Sequence, residues 1–209
     1  MFALIDDQQI TKFFSGNKGV TIGDVQYPKS IFTLWSEAER NAIGIYEVTV
    51  DTTNKKDEQW YINTNISYGV ESNKAVGSYG TATAKAHADS TYTNQDKTDG
   101  LIPDGKDVGD IKDRGLKYNL IQTVKKQAAG ILQETDWYIT RKADAGTAVP
   151  SSITTHRAAV RTKAAEQETA ITNAADTPAL ETLYTYVNTG TEENPVYERP
   201  LDEFPVLEN

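Results

Sequence analysis

The apolar period of this chain changes once along its length, and that change constrains the fold more than any other feature. Up to about residue 85, apolar and polar residues alternate in short runs broken by Gly, Asn and Asp. From residue 111 the apolar residues recur at steps of three and four, as in Leu116, Leu120, Val124, Ala128 and Ile131. A period of two belongs to strands and a period near 3.6 to helices, and one element cannot satisfy both. The predicted class is therefore α+β. A small antiparallel β-rich domain is expected over residues 1–85, and an antiparallel module of about three helices over residues 110–188. Between them, residues 86–109 carry Asp89, Asp96, Asp99, Asp104 and Asp107 with Gly100, Pro103, Gly105 and Gly109. This composition predicts a polar linker. Residues 189–209 are polar and Pro-punctuated and predict an extended tail.

Local signals refine this division. Asp6-Asp7-Gln8-Gln9 separates two apolar runs and predicts a hairpin, as does Gly23-Asp24 between Val20-Thr21-Ile22 and Val25-Gln26-Tyr27. Ser36 and Glu39 have the spacing of a capping box, and Gly44 follows where that short helix must stop. Residues 60–70, rich in aromatic and β-branched side chains, read as one long strand. Ser72-Asn73-Lys74 is a turn. In the second half, one helix is expected over residues 110–133. A short one follows from Thr135-Asp136 through Ala143, stopped by Gly146, and a third starts after Pro150. A last helix is expected with Thr177 as its cap and Pro178 at its first position.

Charge and residue usage exclude several function classes. The net charge is -9 and only 38% of residues are hydrophobic. An acidic surface disfavours non-specific contact with nucleic acid or anionic lipid. The best local basic patch is Lys112, Arg114, Lys117, Lys125 and Lys126, which reads as a solvated helix face, so no nucleic-acid partner is expected. No run approaches the ~20 apolar residues of a bilayer span, so no membrane partner is expected either. The N-terminus lacks the basic and apolar regions of a secretory signal. Cysteine is absent, which removes disulfides and thiolate metal sites.

The sequence carries no catalytic signature. The two histidines, His87 and His156, have no partner at metal-ligand spacing and read as surface residues. The Asp-rich stretch does not follow the register of a calcium-binding loop. There is no phosphate-binding loop, no dinucleotide glycine fingerprint and no nucleophile elbow. No cofactor, metal or catalytic residue is therefore assigned. A carboxylate-dependent hydrolase remains as the enzymatic alternative.

The residues that stand out lie between 133 and 161. Trp137 and Tyr138 sit on the short helix after Thr135-Asp136, with Arg141 one turn on. Arg157 and Arg161 sit one turn apart on the next helix. The simplest expectation is that Trp137 closes a small three-helix core, the other reading being a partner-binding anchor. Arg157 and Arg161 are placed on a common helix face, able to pair with Asp136 or Asp144 or to clamp a partner's carboxylates.

Thr135-Asp136-Trp137 through Arg161 resembles the bacteriophage tail assembly chaperone family. That family's pattern is a helix, a Thr-Asp-Trp element, a proline, and a helix carrying an aromatic residue, an arginine, an apolar residue and a second arginine. Arg157, Val160 and Arg161 match it, while His156 stands where the family has tyrosine. Gly23 to Pro28 and Ser36 to Tyr46 are similar to the front of phage tail-fibre-associated proteins. The resemblance implies a non-enzymatic protein that binds phage tail or tail-fibre subunits in the host cytoplasm during assembly. It also implies Trp137, Tyr138, Arg141, Arg157 and Arg161 as its partner-binding or core residues, and leaves room for a homo-oligomer. A permanent place in the virion tail, as a baseplate, fibre or connector subunit, is the alternative.

Overall fold

The computed structural model describes residues 1–207. It is an α+β chain that divides into two compact units, Met1–Thr83 and Ala84–Asn209.

The first unit is built on hairpins. β1 (Phe2–Asp6) and β2 (Gln9–Phe14) pair antiparallel across a two-residue turn. Asp7 and Gln8 both take positive φ, 44° and 61°, because a two-residue link that follows the strand twist needs two left-handed residues. β3 (Val20–Ile22) and β4 (Val25–Tyr27) form the second hairpin. After α1 (Ile31–Leu34), the helix α2 (Glu37–Ala42) starts in the expected capping box. The Ser36 side chain accepts from the Glu39 amide, and Glu39 accepts from the Ser36 amide at 2.8 Å. Gly44 then reverses the chain at φ +78° into β5 (Ile45–Asp51).

The single strand expected over residues 60–70 is two strands, β6 (Tyr61–Ile62) and β7 (Ile66–Glu71). The break has a local cause. The Asn63 amide clasps the backbone N–H and C=O of Lys56, at 2.9 and 2.8 Å. The Thr64 hydroxyl accepts from the Gly80 amide at 2.7 Å. These side chains compete with the ladder for the backbone. β7 turns through Ser72 and Asn73, both at positive φ, into β8 (Lys74–Tyr79), and β9 (Thr83–Ala84) follows.

The main sheet has the order β2-β1-β5-β8-β7. The expected all-antiparallel pairing does not hold, since β5 and β8 run parallel, with Val48 opposite Ala75 and Val50 opposite Gly77. The β7–β8 hairpin adds as a unit with its second strand innermost, and that strand points the same way as β5. The sheet curls until Phe13 on β2 meets Tyr68 on β7, edge to face with ring centroids 5.0 Å apart. Gly77 allows the Tyr68 ring to come close to its backbone, because a Cβ there would fall 2.7 Å from Tyr68 Cε1. Inside the curl, Phe14, Val20, Ile31, Phe32 and Ile45 are buried together.

The second unit begins with the stretch expected to be a linker. Residues 86–109 are folded instead. β10 (Ser90–Thr91) pairs with β11 (Ile111–Asp113) around α3 (Asn94–Thr98). Most of the ordering comes from carboxylates that act as backbone caps rather than as solvated charges. Asp96 is buried. It accepts from the Thr93 amide and hydroxyl, at 2.8 and 2.6 Å, and from Lys112 Nζ at 2.5 Å. The Lys112 ammonium, with the Thr93 donors behind it, holds the Asp96 carboxyl well below the usual carboxylate range. Asp89 accepts from the Gly115 amide at 2.8 Å and from Arg114 at 2.6 Å, and these bonds lower its carboxyl in the same way.

Four helices follow, one for each of the helical signals in residues 110–188: α4 (Leu116–Gln133), α5 (Asp136–Ala145), α6 (Ser151–Asn173) and α7 (Thr177–Tyr184). The first free amides of α4 donate to carbonyls of the preceding segment, Leu116 to Ala86 and Lys117 to His87, both at 3.0 Å. A helix start buried against backbone in this way satisfies its orphan donors. It is possible only because Gly115 has no side chain, since a Cβ there would lie 2.3 Å from the Ala88 carbonyl carbon. α4 packs on α6 through Val124 and Ala128 on one side and Ile153, Val160, Ala164 and Ile171 on the other. The cap of α7 is Asp176, which accepts from the Ala179 amide at 2.8 Å, and not Thr177. The Thr177 hydroxyl is buried and donates to the Lys85 carbonyl at 2.6 Å. The expected extended tail folds back. β12 (Val187–Asn188) pairs with β13 (Tyr197–Glu198), and Leu201 is buried with its amide donating to the Leu183 carbonyl at 2.9 Å.

Candidate functional site

The site starts from one interior arginine. The buried residues of α6 are Ile153, His156, Arg157, Val160, Ala164, Gln167 and Ile171. Their spacing of three and four defines a single face, and Arg157 lies on it with only 7% of its surface exposed. Its guanidinium fork spans the junction between α4 and α5. Nη1 donates to the Leu132 carbonyl and to the Thr135 hydroxyl, both at 2.7 Å. Nη2 donates to Asp136 Oδ1 at 2.8 Å. One residue thus satisfies the end of α4, holds the buried Thr135, and pairs with the acid in the first turn of α5. A negative charge in that turn is also favoured by the helix dipole.

This arrangement decides where Trp137 goes. The space at the junction is occupied by the guanidinium and Thr135, so the indole does not close the three-helix core as expected. Trp137 is 50% exposed, and α5 contributes no buried residue. The indole stacks on the ring of Tyr138, centroids 3.8 Å apart and tilted by 32°. The Arg141 guanidinium lies over both rings, 4.7 Å from the Trp137 centroid and 5.5 Å from that of Tyr138. Its Nε is shielded from solvent and has no hydrogen-bond partner among the described residues. Ile139 beside them is also exposed. Gly146, left-handed at φ +70°, ends the helix. The result is a stacked Trp–Tyr–Arg platform on a short helix pinned at its first turn.

Arg161 does not join Arg157. One helical turn of four residues advances about 40° beyond a full circle, enough to take Arg161 off the buried face. It is exposed, and its Nη1 donates to the Arg157 carbonyl, at 3.4 Å. His156, expected at the surface, is buried and lines a cavity with Pro205, Val206 and Leu207 of the returning tail. The expected basic patch is largely neutralised. Lys112 pairs with Asp96, Arg114 with Asp89, and Lys125 with Glu168, while Lys117 donates to the Thr172 carbonyl. Among the described residues no cluster of three or more His, Asp or Glu could hold a metal ion. No helix there is long and apolar enough to cross a membrane.

Two elements of this site escape sequence reasoning, the Leu132 carbonyl and the Thr135 hydroxyl that receive Arg157. Only the position of Arg157 in register with Ile153, Val160 and Ala164 signals that it points inward. In comparison with known proteins, no family model, no curated protein and no solved structure matches this chain.

Proposed function

We propose that this chain is a non-catalytic adaptor that binds other polypeptides through the Trp137–Tyr138–Arg141 platform. Its partners would be phage tail or tail-fibre subunits, which the resemblance around Thr135 to Arg161 supplies. The observation that carries the reading is the exposure of the stacked indole. Trp, Tyr and Arg dominate the binding energy of protein interfaces. A rigid aromatic pair loses little conformational entropy when a partner covers it. A Trp that stabilised only its own fold would have no reason to lie half in water beside an arginine that has no counter-ion among the described residues. The Arg157 fork serves this reading as the device that orients α5.

The test is capture from phage-infected cells with tagged chain, comparing wild type with Trp137→Ala and Arg141→Ala. The expected result is that tail or tail-fibre subunits co-purify with the wild type and are lost with either variant. Each variant should melt within about 1 kcal/mol of the wild type, as exposed positions do. Undiminished capture by both variants refutes the assignment. Mass spectrometry of purified particles then separates a transient assembly factor from a resident virion subunit, because only the latter is present at fixed stoichiometry.

A further inference from the structure

α6 runs for 23 residues and starts without a side-chain cap. Pro150 at its N-cap offers no side-chain acceptor, and no acid stands in its first turn. The Thr154 amide bonds back to the Pro150 carbonyl at 3.1 Å. The amides of Ser151, Ser152 and Ile153 come before it and have no carbonyl of their own helix to meet. They point out of the end where the helix dipole is positive. Such an end favours an anion, but it makes a site only where other groups converge on it. A cavity of about 440 Å³ lies at this end. Ser151, Ser152, Thr155 and His156 of α6 line one side of it, and Pro205, Val206 and Leu207 of the returning tail line the other.

His156 is the observation that points to a ligand. It is only 9% exposed, and it has no hydrogen-bond partner among the described residues. Side chains on a helix lean toward its N-terminus, so the imidazole lies over the turn of Ser152, toward the free amides. Burying a polar ring without a partner is costly, and a bound group that accepts from it removes that cost. The hydroxyls of Ser151, Ser152 and Thr155 also lack partners among the described residues. On the same helix Thr154, Thr169 and Thr172 each donate to the carbonyl four residues back. The cavity thus holds amides, hydroxyls and an imidazole, with no carboxylate among its described lining residues. A cation finds no charge to meet there, whereas an anion meets the positive helix end. A carboxylate offers about four acceptor positions on two oxygens. The three amides, the hydroxyls and the ring exceed that number, and the three free oxygens of a phosphate group engage more of them.

We propose that this cavity is a phosphate site. The phosphate oxygens take the amides at the start of α6, the hydroxyls of Ser151 and Ser152, and the His156 imidazole. Pro205, Val206 and Leu207 cover the carbon side of a phosphate monoester. The cavity shares no lining residue with the Trp137 platform, so the site stands independently of the adaptor reading.

Proton–nitrogen correlation spectra of the full chain read its two imidazoles, His87 and His156, and His87→Asn assigns them. Titration with phenyl phosphate should shift the His156 ring nitrogens and leave those of His87 in place. Benzoate should bind about tenfold more weakly, because it leaves donors of the site unmatched. Inorganic phosphate in a parallel titration separates the two sources. Tighter binding of the ester assigns the site to phosphomonoesters, tighter binding of the free ion assigns it to inorganic phosphate, and either supports the proposal. Ser152→Asp places a carboxylate at the helix end. An acid in the first turn favours the helix, so melting should not fall, while phosphate binding should be lost. His156→Phe keeps a ring on the buried face and removes the donor, and should weaken binding by about tenfold. The proposal is overturned if neither phosphate shifts His156 at millimolar concentration or if His87 shifts equally. Benzoate binding as tightly as phenyl phosphate, or Ser152→Asp or a folded His156→Phe binding like the wild type, overturns it too.

Discussion

Replacing Arg157 with Ala is the most informative perturbation of the second unit. The guanidinium makes three hydrogen bonds, two of them to groups at the α4–α5 junction and one to Asp136. Hydrogen bonds to a charged group are each worth about 1.5–3 kcal/mol net when buried. The structure reduces that sum in two places. Asp136 is 57% exposed, so water replaces its partner and its share falls toward that of a surface pair. The Leu132 carbonyl still accepts from the Thr135 amide at 3.1 Å and hydroxyl at 3.0 Å, so it is not orphaned. What remains is the loss of one internal cross-link and the void left by a buried side chain, together about 3 kcal/mol. For a unit of this size that lowers Tm by roughly 10 °C. Arg157→Met fills the space without the fork and should lose only about half as much. Urea titration followed by far-ultraviolet circular dichroism, with calorimetry for Tm, gives both numbers. A Tm for Arg157→Ala within about 2 °C of the wild type would refute the claim that this residue joins the helices. An Arg157→Met loss equal to that of Ala would show that the fork, not volume, carries the whole effect.

Gly115→Ala should destabilise the second unit by at least about 2 kcal/mol, because the new Cβ meets backbone that cannot rotate away. Gly130→Ala on the same helix has open space and should stabilise by up to about 1 kcal/mol; a reversed order in thermal melts would contradict the packing described. Leu180→Ala, at a fully buried position of α7, should cost about 2–5 kcal/mol by chemical denaturation. The carboxyls of Asp96 and Asp89 are lowered in the folded chain, so their contribution is complete above the unfolded value near pH 4 and is lost as pH falls below it. Tm should therefore drop on acidification, and Asp96→Asn should flatten that slope; parallel pH profiles would refute it. Lys112 is raised by Asp96, so its part persists until alkaline pH.

The elements that sequence reading finds are those whose cause is local. The Ser36–Glu39 box, the two-residue turns at Asp7-Gln8 and Ser72-Asn73, and the Gly146 stop all rest on residues within a few positions of each other. What escapes is set by distant partners. Aspartates in residues 86–109 look solvated until Lys112, Arg114 and the Gly115 amide arrive to meet them. The indole of Trp137 has the composition of a core residue, and only the reach of Arg157 across to Leu132 displaces it. His156 is polar in sequence and is nonetheless buried, on the same face of α6 as Ile153 and Val160. The direction of β8 depends on which strand of a hairpin lies innermost, and alternation along a strand carries no trace of that.

The side-by-side run of β5 and β8 also sets an order of events. The β1–β2, β3–β4 and β7–β8 hairpins can each close as soon as their own residues exist, within microseconds. The five-stranded sheet cannot, because its central seam joins segments far apart in the chain and must wait for residue 79 and for the entropy loss of closing the intervening loop. A chain emerging from the ribosome therefore carries an unfinished sheet, with one edge of β5 still without its partner strand, until the last of its strands arrives.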